Sequence, residues 1–456
     1  MRPAIASIAA TAILCAVAAF SQTNSPAPIR PSPFRSGDGK ITEWKITIPG
    51  GRPLATPAIA DGKIFVGGGF GSHEFYAFEA ETGKLLWTYH TDDDGPTAAA
   101  VADGKIAFNT ESCELEVLTT SGRRLWKKWL GDPLMSMPAI ADDVVYMAFP
   151  NSRGDHKYYI AAFDLNTGAE RWRHPLSAEI ITAPVIDKDR LYLATVDGSA
   201  MALDRRNGVQ IWQEQKNATS APAVWNDRCF FSRREAVKLA GARPQGPQQT
   251  EMMVAYSKLE GVKDMRETRR DADYLDYQKN AQSAGEQKSQ ALDAAVGFAT
   301  VKGSAAPIMA RAQENLGKAS VHGIWAYQGS KNFVDHGKVY ASMGDRAQSV
   351  DPDSGKVIWS RVPAKGALTP PVIVNGKVFV GSDSGSLHAV SAKDGAELWS
   401  AQLGGSISFQ PAISRGRIYV VTDQGVLYGL NTGDRADDGW LMWGGTAAHN
   451  GLSGSH

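Results

Sequence analysis

Two acidic runs are the first residues in this sequence whose types and spacing could do chemistry. Asp92-Asp93-Asp94-Gly95 and Asp351-Pro352-Asp353-Ser354-Gly355 offer carboxylate oxygens, the ligands that calcium prefers in proteins. The second run lacks the remaining ligands and the distal glutamate of a calcium loop. Because aspartate side chains also hydrogen-bond the backbone of tight turns, we interpret both runs as turn segments and predict no metal ligand.

Motifs for covalent chemistry are equally weak. Gly198-Ser199-Ala200 and Gly381-Ser382-Asp383-Ser384-Gly385-Ser386 place serine beside glycine, but neither matches the Gly-x-Ser-x-Gly nucleophile elbow, and both resemble tight turns. The nine histidines form no metal-spaced pair on a recognisable helix. The sequence therefore predicts no catalytic, cofactor-binding or metal-binding residue.

The amino terminus has the pattern of a secretory signal. Met1-Arg2 is followed by an apolar run from Ile5 to Phe20, which is too short for a good membrane span. Cys15 does not follow a small residue, so lipid attachment is not expected. We predict a signal peptide over residues 1–21, a flexible linker rich in Pro, Ser and Asn over 22–38, and a periplasmic or secreted protein without a transmembrane segment after cleavage.

Charge and cysteine content exclude several classes of protein. Lys plus Arg and Asp plus Glu each number 48, so no net field would steer the chain to nucleic acid. Only Cys113 and Cys229 remain after signal cleavage, too few for a disulfide scaffold. We expect a monomer whose core is held by packing.

A unit of about forty residues repeats along most of the chain. In its first copy, Pro57–Gly67 reads as a hairpin with an Asp-Gly turn, and Phe75–Phe78 reads as a third strand. A glycine turn at Glu81–Lys84 then leads into Leu85–Trp87, a fourth strand. Four short antiparallel strands make one propeller blade.

The fixed points of the repeat recur in register. The eight turn glycines are Gly83, Gly122, Gly168, Gly208, Gly261, Gly355, Gly395 and Gly433. In six units a tryptophan follows four residues later, at Trp87, Trp126, Trp172, Trp212, Trp359 and Trp399, and Trp325 serves the fifth unit. We predict an all-β, eight-bladed propeller in which these tryptophans pack between neighbouring blades.

The last unit lacks an outer strand, and the residues after Gly433 are too polar to supply one. Lys40–Ile48, with Trp44, reads as an outer strand that belongs to no blade of its own. We therefore predict that residues 39–49 complete the blade formed by 411–433 and close the ring, which removes an exposed edge.

Several copies share the spacing Ala-x-(Glu/Asp/Ser)-x-x-(Thr/Asn/Asp)-Gly-x-x-x-Trp. They are Ala77 to Trp87, Ala162 to Trp172, Ala202 to Trp212 and Ala389 to Trp399. This pattern resembles the tryptophan-docking repeat of propellers named after pyrroloquinoline quinone (PQQ), over roughly residues 40 to 433. The resemblance implies either a quinoprotein dehydrogenase, which carries PQQ in its funnel, or a protein-binding propeller like the lipoprotein of the outer-membrane assembly machinery.

The residues favour the second kind. A quinoprotein dehydrogenase is expected to have an adjacent cysteine pair and calcium ligands, whereas Cys113 and Cys229 are far apart and no Cys-x-x-Cys-His haem motif is present. We therefore predict no cofactor, with PQQ plus calcium as the alternative. The predicted function is an exported, non-catalytic module that binds envelope or secreted proteins; a PQQ-dependent alcohol or sugar dehydrogenase and a carbohydrate-binding or lyase-like propeller are the alternatives.

Two segments fall outside the repeat. Residues 262–321 interrupt the fifth unit and are rich in Ala, Gln, Lys and Glu, which predicts a helical insertion that decorates the propeller, binds a partner or forms a lid. Trp440 and Trp443 follow the last unit, and we expect them to pack across a propeller face. The predicted propeller therefore covers residues 39–456.

Overall fold

The computed structural model describes residues 28–237, 248–257 and 332–446, apart from positions 38, 40–41, 70, 113, 132–135, 152–153, 156, 216 and 227. These residues form strands, turns and connections. None of them forms a helix that is long and apolar enough to cross a membrane. The predicted signal peptide and the predicted helical insertion at 262–321 lie outside the described residues.

The strands are short and regularly spaced. In chain order they are Ser32–Arg35 (β1), Thr42–Thr47 (β2), Ala58–Ala60 (β3), Lys63–Gly67 (β4), Glu74–Glu79 (β5), Leu85–His90 (β6), Ala100–Ala102 (β7), Lys105–Asn109 (β8), Glu114–Thr119 (β9), Arg124–Trp129 (β10), Ala139–Ala141 (β11), Val144–Pro150 (β12), Tyr158–Asp164 (β13), Glu170–Leu176 (β14), Val185–Asp187 (β15), Arg190–Ala194 (β16), Ser199–Asp204 (β17), Gln210–Gln215 (β18), Ala223–Trp225 (β19), Arg228–Val237 (β20), Gln248–Ser257 (β21), Asn332–Asp335 (β22), Lys338–Met343 (β23), Arg346–Val350 (β24), Val357–Arg361 (β25), Val372–Val374 (β26), Lys377–Gly381 (β27), Ser386–Ser391 (β28), Glu397–Gln402 (β29), Ala412–Ser414 (β30), Arg417–Val421 (β31) and Val426–Asn431 (β32).

These strands form antiparallel sheets that follow the order of the chain. Sheets 1 to 4 contain β3–β6, β7–β10, β11–β14 and β15–β18, and sheets 6 and 7 contain β22–β25 and β26–β29. Sheet 8 runs β30-β31-β32-β2-β1, and sheet 5 contains three described strands, β19–β21. Neighbouring first strands contact one another from β3 through β22, and β30 contacts β3. The fold is an all-β propeller of four-stranded antiparallel blades, of which seven are described completely.

Each sheet begins with a tight hairpin, as the Asp-Gly pattern predicts. In sheet 1, Asp61 and Gly62 take φ angles of 50° and 71°, the left-handed values that a two-residue hairpin turn of this type requires. In sheets 1 to 4, 6 and 7, the edge that carries this hairpin also carries the turn between the third and fourth strands. We call this side of the ring the turn face and the opposite side the loop face.

Tryptophans join neighbouring sheets. The prediction that they pack between blades is confirmed for the five whose contact with the next sheet is described. The indole Nε1 donates to a backbone carbonyl of the next sheet at 2.9–3.3 Å. The pairs are Trp44 with Glu81, Trp87 with Thr120, Trp126 with Leu165, Trp172 with Arg205, and Trp359 with Ala392. A Cβ added to the turn glycine beneath the ring would come within 2.9 Å of it, at Gly83, Gly122, Gly168, Gly208 and Gly395. Only glycine therefore leaves room for the ring.

The amino terminus closes the ring, as predicted. Strand β2 pairs antiparallel with β32, from Glu43 opposite Leu430 to Thr47 opposite Val426. Trp44 of β2 then docks on Gly83 of sheet 1. The predicted linker differs, because its residues 32–35 form the fifth strand of sheet 8. Phe34 anchors this strand by packing edge-on against Tyr428, with ring centroids 5.0 Å apart.

The segment after β32 turns into the centre of the ring. Gly433 is one of the eight predicted turn glycines, but no tryptophan ring packs against it. A Cβ added to Gly433 would have no described atom within 4 Å outside the adjoining residues. Trp440 instead exchanges backbone hydrogen bonds with Ile413 of β30, and Leu441 O accepts from Ile59 N at 2.6 Å. The expectation that the tail tryptophans pack across a face is wrong for Trp440, because its side chain is fully buried among first strands.

Candidate partner-binding groove

The turn between β17 and β18 presents two arginines on the turn face. Asp204 starts this turn by accepting a hydrogen bond from the backbone N of Arg206 at 2.8 Å. Gly208 ends it at a φ of 72°. The Trp172 ring of sheet 3 lies against Gly208, and its Nε1 donates to Arg205 O at 3.0 Å. The tryptophan that joins sheets 3 and 4 therefore also fixes the arginine-bearing turn.

Ion pairs hold the arginines along the seam between sheets 3 and 4. Arg205 Nη2 lies 2.5 Å from Asp142 Oδ2, and Arg206 Nη2 lies 3.5 Å from Asp189 Oδ2. The Arg206 side chain is 75% exposed and that of Arg205 only 20%. The pair of Arg206 with Asp189 is exposed, and exposed pairs add little to stability. The Arg206 guanidinium therefore remains available to exchange its carboxylate for that of a partner.

A third arginine lies on the same seam. Arg171 Nη2 contacts Asp164 Oδ2 at 2.7 Å, and this hydrogen bond, with that of Thr167, lowers the pKa of Asp164 to about 2. Arg171 also donates to Asp143 O at 3.3 Å. Because guanidinium groups bind carboxylates in a planar, two-pronged geometry, three of them on one seam favour an acidic ligand.

The groove has a shallow part and a deeper part. The shallow part is an open volume of about 720 Å³ bordered by the turns at Asp142 and at 187–189 and by Arg205 and Arg206. The deeper part, of about 220 Å³, has an apolar floor. Its floor residues are Val144, Tyr146, Ala162 and Trp172. Burial raises the pKa of Tyr146 to about 12, although Arg205 and Arg171 act in the opposite direction.

Arginine, tyrosine and tryptophan around one pocket are the residue types that dominate binding energy at protein interfaces. In the deeper part, three arginines face a single aspartate, Asp142. The arrangement can bind an acidic segment that places one apolar side chain on the aromatic floor. None of the residues that line the deeper part is a nucleophile paired with a base.

The two acidic runs considered in the sequence act as turn supports. Asp351 Oδ1 accepts from the backbone N of Ser354 at 2.7 Å, as expected for a turn. Asp93 Oδ2 accepts from Ser112 N at 2.8 Å, and Asp92 pairs with Lys127 at 2.6 Å, so the first run joins sheets 1 and 2. Among the described residues, no group of three or more His, Cys, Asp or Glu side chains is placed to hold a metal ion.

One carboxyl pair accompanies the first run on the loop face. Burial, with smaller contributions from the charge and hydrogen bond of Asp94 and the charge of Asp93, raises the pKa of Glu111 to about 8. Glu111 N also donates to Asp94 O at 2.8 Å. The two loops therefore meet at a pair of neighbouring carboxyl groups, Asp94 and Glu111.

The tail places two tryptophans in the described centre of the ring. Trp440 is 0% exposed and packs edge-on against Phe333, with centroids 5.0 Å apart. Trp443 belongs to one buried cluster with Ala55, Ala98 and Met137, which precede or begin the first strands of sheets 1 to 3. Cys229 is buried in β20. In the described part of the centre, the two indole rings therefore pack against apolar side chains of the first strands and of the segments that precede them.

The groove was not predicted from the sequence. Arg205 and Arg206 stand in Asp204-Arg205-Arg206-Asn207-Gly208, which was interpreted only as a blade turn. The signal that could have found them is two adjacent arginines in the third-to-fourth-strand turn, where the first copy has Ala80-Glu81. The partner residues come from sheet 3, and only the folded ring brings them to this seam.

Comparisons with known proteins agree with this architecture. Residues 36–156, 114–255 and 344–448 match the family described as outer membrane protein assembly factor BamB. The BamB of Yersinia pestis is 24% identical over 210 residues, 41% of this chain and 50% of that protein. The crystal structure of BamB from Moraxella catarrhalis superposes with a TM-score of 0.56 at 16% identity, covering 86% of this chain and 97% of that one.

A second kind of relative shares the repeat. The quinoprotein ethanol dehydrogenase of Pseudomonas aeruginosa is 26% identical over 213 residues, 42% of this chain and 33% of that enzyme. The chain spans about half the length of the assembly factors it matches. The predicted resemblance to PQQ-type propellers is confirmed, and the family matches together cover more than half of the sequence. The chain therefore belongs to the family of the outer membrane protein assembly factor BamB.

Proposed function

We propose that this protein is an exported, non-catalytic propeller that binds partner proteins of the cell envelope through the turn-face groove. The observation that carries the proposal is the arginine rim of Arg171, Arg205 and Arg206 above the floor formed with Tyr146 and Trp172. The partner chemistry that fits is an acidic segment with one apolar anchor. The name of the matched family, an assembly factor, supports a protein-binding role in general terms.

We also propose that the ring has eight blades. Strands β19, β20 and β21 pair in the same order and sense as the first three strands of the complete blades. Their fourth strand would come from the chain around Trp325, after the insertion at 262–321. Export through the amino-terminal signal and a monomeric state belong to the same proposal.

The quinoprotein alternative has weaker support. The dehydrogenase match covers 33% of that enzyme, and the tail residues Trp440 and Trp443 fill part of the channel. We propose that no PQQ binds. Titration of PQQ with calcium into the full chain is expected to give no saturable change in cofactor absorbance.

A pull-down with matched variants tests the docking site. The full chain, Arg205→Glu/Arg206→Glu and the control Arg123→Glu/Arg124→Glu, which alters an arginine pair in sheet 2 on the same turn face, are used to capture cell-envelope proteins. We expect at least one protein to be recovered by the wild type and the control but lost with the groove variant. Equal recovery by all three would contradict the proposal.

A further inference from the structure

A hydrogen-bonded chain of serine, histidine and glutamate lies in sheet 7. Ser386 and His388 are two residues apart on β28, so their side chains lie on the same side of the strand. His388 Nε2 is 2.9 Å from Ser386 Oγ, and His388 Nδ1 is 3.0 Å from Glu397 Oε2 of β29. A base that contacts a hydroxyl with one nitrogen and a carboxylate with the other is the arrangement of an activated nucleophile.

The surroundings suit this chemistry. The His388 side chain is 8% exposed, which keeps the imidazole away from bulk water. Ser386 is half-buried at the loop-face end of β28, so part of it faces solvent. A proton on Nδ1 satisfies the Glu397 carboxylate and leaves Nε2 as an acceptor for the Ser386 hydroxyl.

Two further serines complete the cluster. Ser382 Oγ lies 2.7 Å from Ser386 Oγ and accepts from Ser386 N at 3.2 Å. Ser384 Oγ is 3.4 Å from Ser386 Oγ, and Ser384 is exposed. Ser382 is thus the hydroxyl nearest to Ser386, and Ser384 lies outside the chain of Ser386, His388 and Glu397.

The propeller does not need this chain in order to fold. The residue before each tryptophan's cross-strand partner occupies the place of His388 in the other complete blades. These residues are Tyr76, Glu116, Ala161, Met201, Gln348 and Tyr428. Six blades therefore close with other side chains here, and the serine-histidine-glutamate chain is specific to sheet 7.

We propose that Ser386 is a nucleophile for acyl transfer from small carboxylic esters to water. Ser386 Oγ bonds to the acyl carbon while His388 Nε2 takes its proton, and the same proton passes to the alkoxide as the carbon–oxygen bond of the ester breaks. Water then attacks the acyl-serine, His388 takes and returns its proton, and the acid and free Ser386 are released. Ser386 and His388 are the catalytic residues, and Glu397 is a positioning residue. This activity does not depend on the proposed docking function.

A fluorophosphonate probe tests the nucleophile directly. Incubated with the full chain and analysed by peptide mass spectrometry, it is expected to modify Ser386, with loss of fluoride. Ser386→Ala abolishes the adduct. His388→Gln slows labelling about 100-fold, the scale of a general base. The matched control Ser384→Ala retains an adduct at Ser386.

Kinetics on Glu397 separate positioning from packing. Glu397→Gln is expected to slow labelling and 4-nitrophenyl acetate hydrolysis at least about 10-fold, because the imidazole loses the carboxylate that orients it. The melting temperature should stay unchanged, since the Glu397 side chain is 51% exposed, and Glu397→Asp should restore part of the rate. No adduct at Ser386 in the folded wild type, or equal labelling of wild type and His388→Gln, overturns the proposal.

Discussion

The centre of the ring and the seam between sheets 3 and 4 differ in how far their side chains are exposed to solvent. In the centre, Trp440 is fully buried, and the tail joins β30 and β3 by backbone hydrogen bonds. On the seam, Arg206 is 75% exposed and its carboxylate partner is 3.5 Å away. The first region is closed by the chain itself, whereas the second keeps its charged groups available to another molecule.

This difference separates stability from recognition in one fold. A buried indole stabilises the ring because its apolar surface leaves water, so a change in the centre should lower the free energy of unfolding. An exposed ion pair contributes little to that free energy, so a change on the seam should alter binding instead. If the separation holds, changes in the centre and changes on the seam affect different measurements.

The largest effect is expected for Trp440→Ala. Removing a buried tryptophan costs about 3–5 kcal/mol, and about 2–4 °C per kcal/mol in a large domain predicts a fall in melting temperature of roughly 10 °C. Leu441→Ala is the matched control, since Leu441 is the next residue on the tail and is 36% exposed. Calorimetry that gives both variants the wild-type melting temperature would contradict the burial of the tail in the ring.

The next effect concerns the point where the tail enters the centre. Asp437 is fully buried, and its Oδ1 accepts from Lys377 Nζ at 2.7 Å and from Asn375 Nδ2 at 2.9 Å. Asp437→Ala is expected to cost about 1.5–3 kcal/mol, the value of a hydrogen bond to a charged group. Asp434→Ala, at the same lysine but 45% exposed, should cost less than about 1 kcal/mol. Equal costs in chemical denaturation would show that Asp437 does not hold the tail.

A smaller, pH-dependent effect is expected from Glu111. Its pKa rises on folding from the ordinary value of a glutamate to about 8, so the folded protein binds the proton more tightly than the unfolded chain. That stabilisation is complete below the unfolded pKa and is lost as the pH rises through about 8. The melting temperature of the wild type should therefore fall between about pH 5 and pH 9. The melting temperature of Glu111→Gln should fall by less over the same range.

The groove provides the contrast for that experiment. The pKa of Asp164 is lowered to about 2, so its contribution is present above the unfolded pKa and is lost only in acid. Asp164→Asn should therefore leave the slope of melting temperature between about pH 5 and pH 9 unchanged. A matching change in slope would mean that the seam also titrates in this range.

The repeat explains why much of the fold could be predicted from the sequence. A tryptophan four residues after a glycine fixes which side chain docks and where it docks, since only glycine leaves space for the indole. Trp44, without a blade of its own, likewise predicted the closing strand. Each of these contacts is encoded by residues at a fixed spacing.

The remaining features depend on contacts that no spacing encodes. Strand β1 is held by the contact of Phe34 with Tyr428, almost four hundred positions away. The composition of residues 22–38 does not encode that contact and therefore predicted a linker. The groove needs Arg171 and Asp142 from sheet 3 beside Arg205 from sheet 4. Ser386 and Glu397 look like ordinary strand residues until the register of β28 and β29 brings them to one histidine.

The most direct test of the separation is one binding titration on three proteins. A fluorescent acidic peptide that carries a single leucine is titrated into the wild type, Arg205→Glu/Arg206→Glu and Trp440→Ala, each below its melting temperature. We predict that the groove variant loses binding at least about 10-fold, or about 1.4 kcal/mol, while its melting temperature stays close to that of the wild type. Trp440→Ala should melt much earlier and bind the peptide as the wild type does. Full binding by the groove variant, or loss of binding with Trp440→Ala while it is folded, would contradict the assignment of recognition to the seam between sheets 3 and 4.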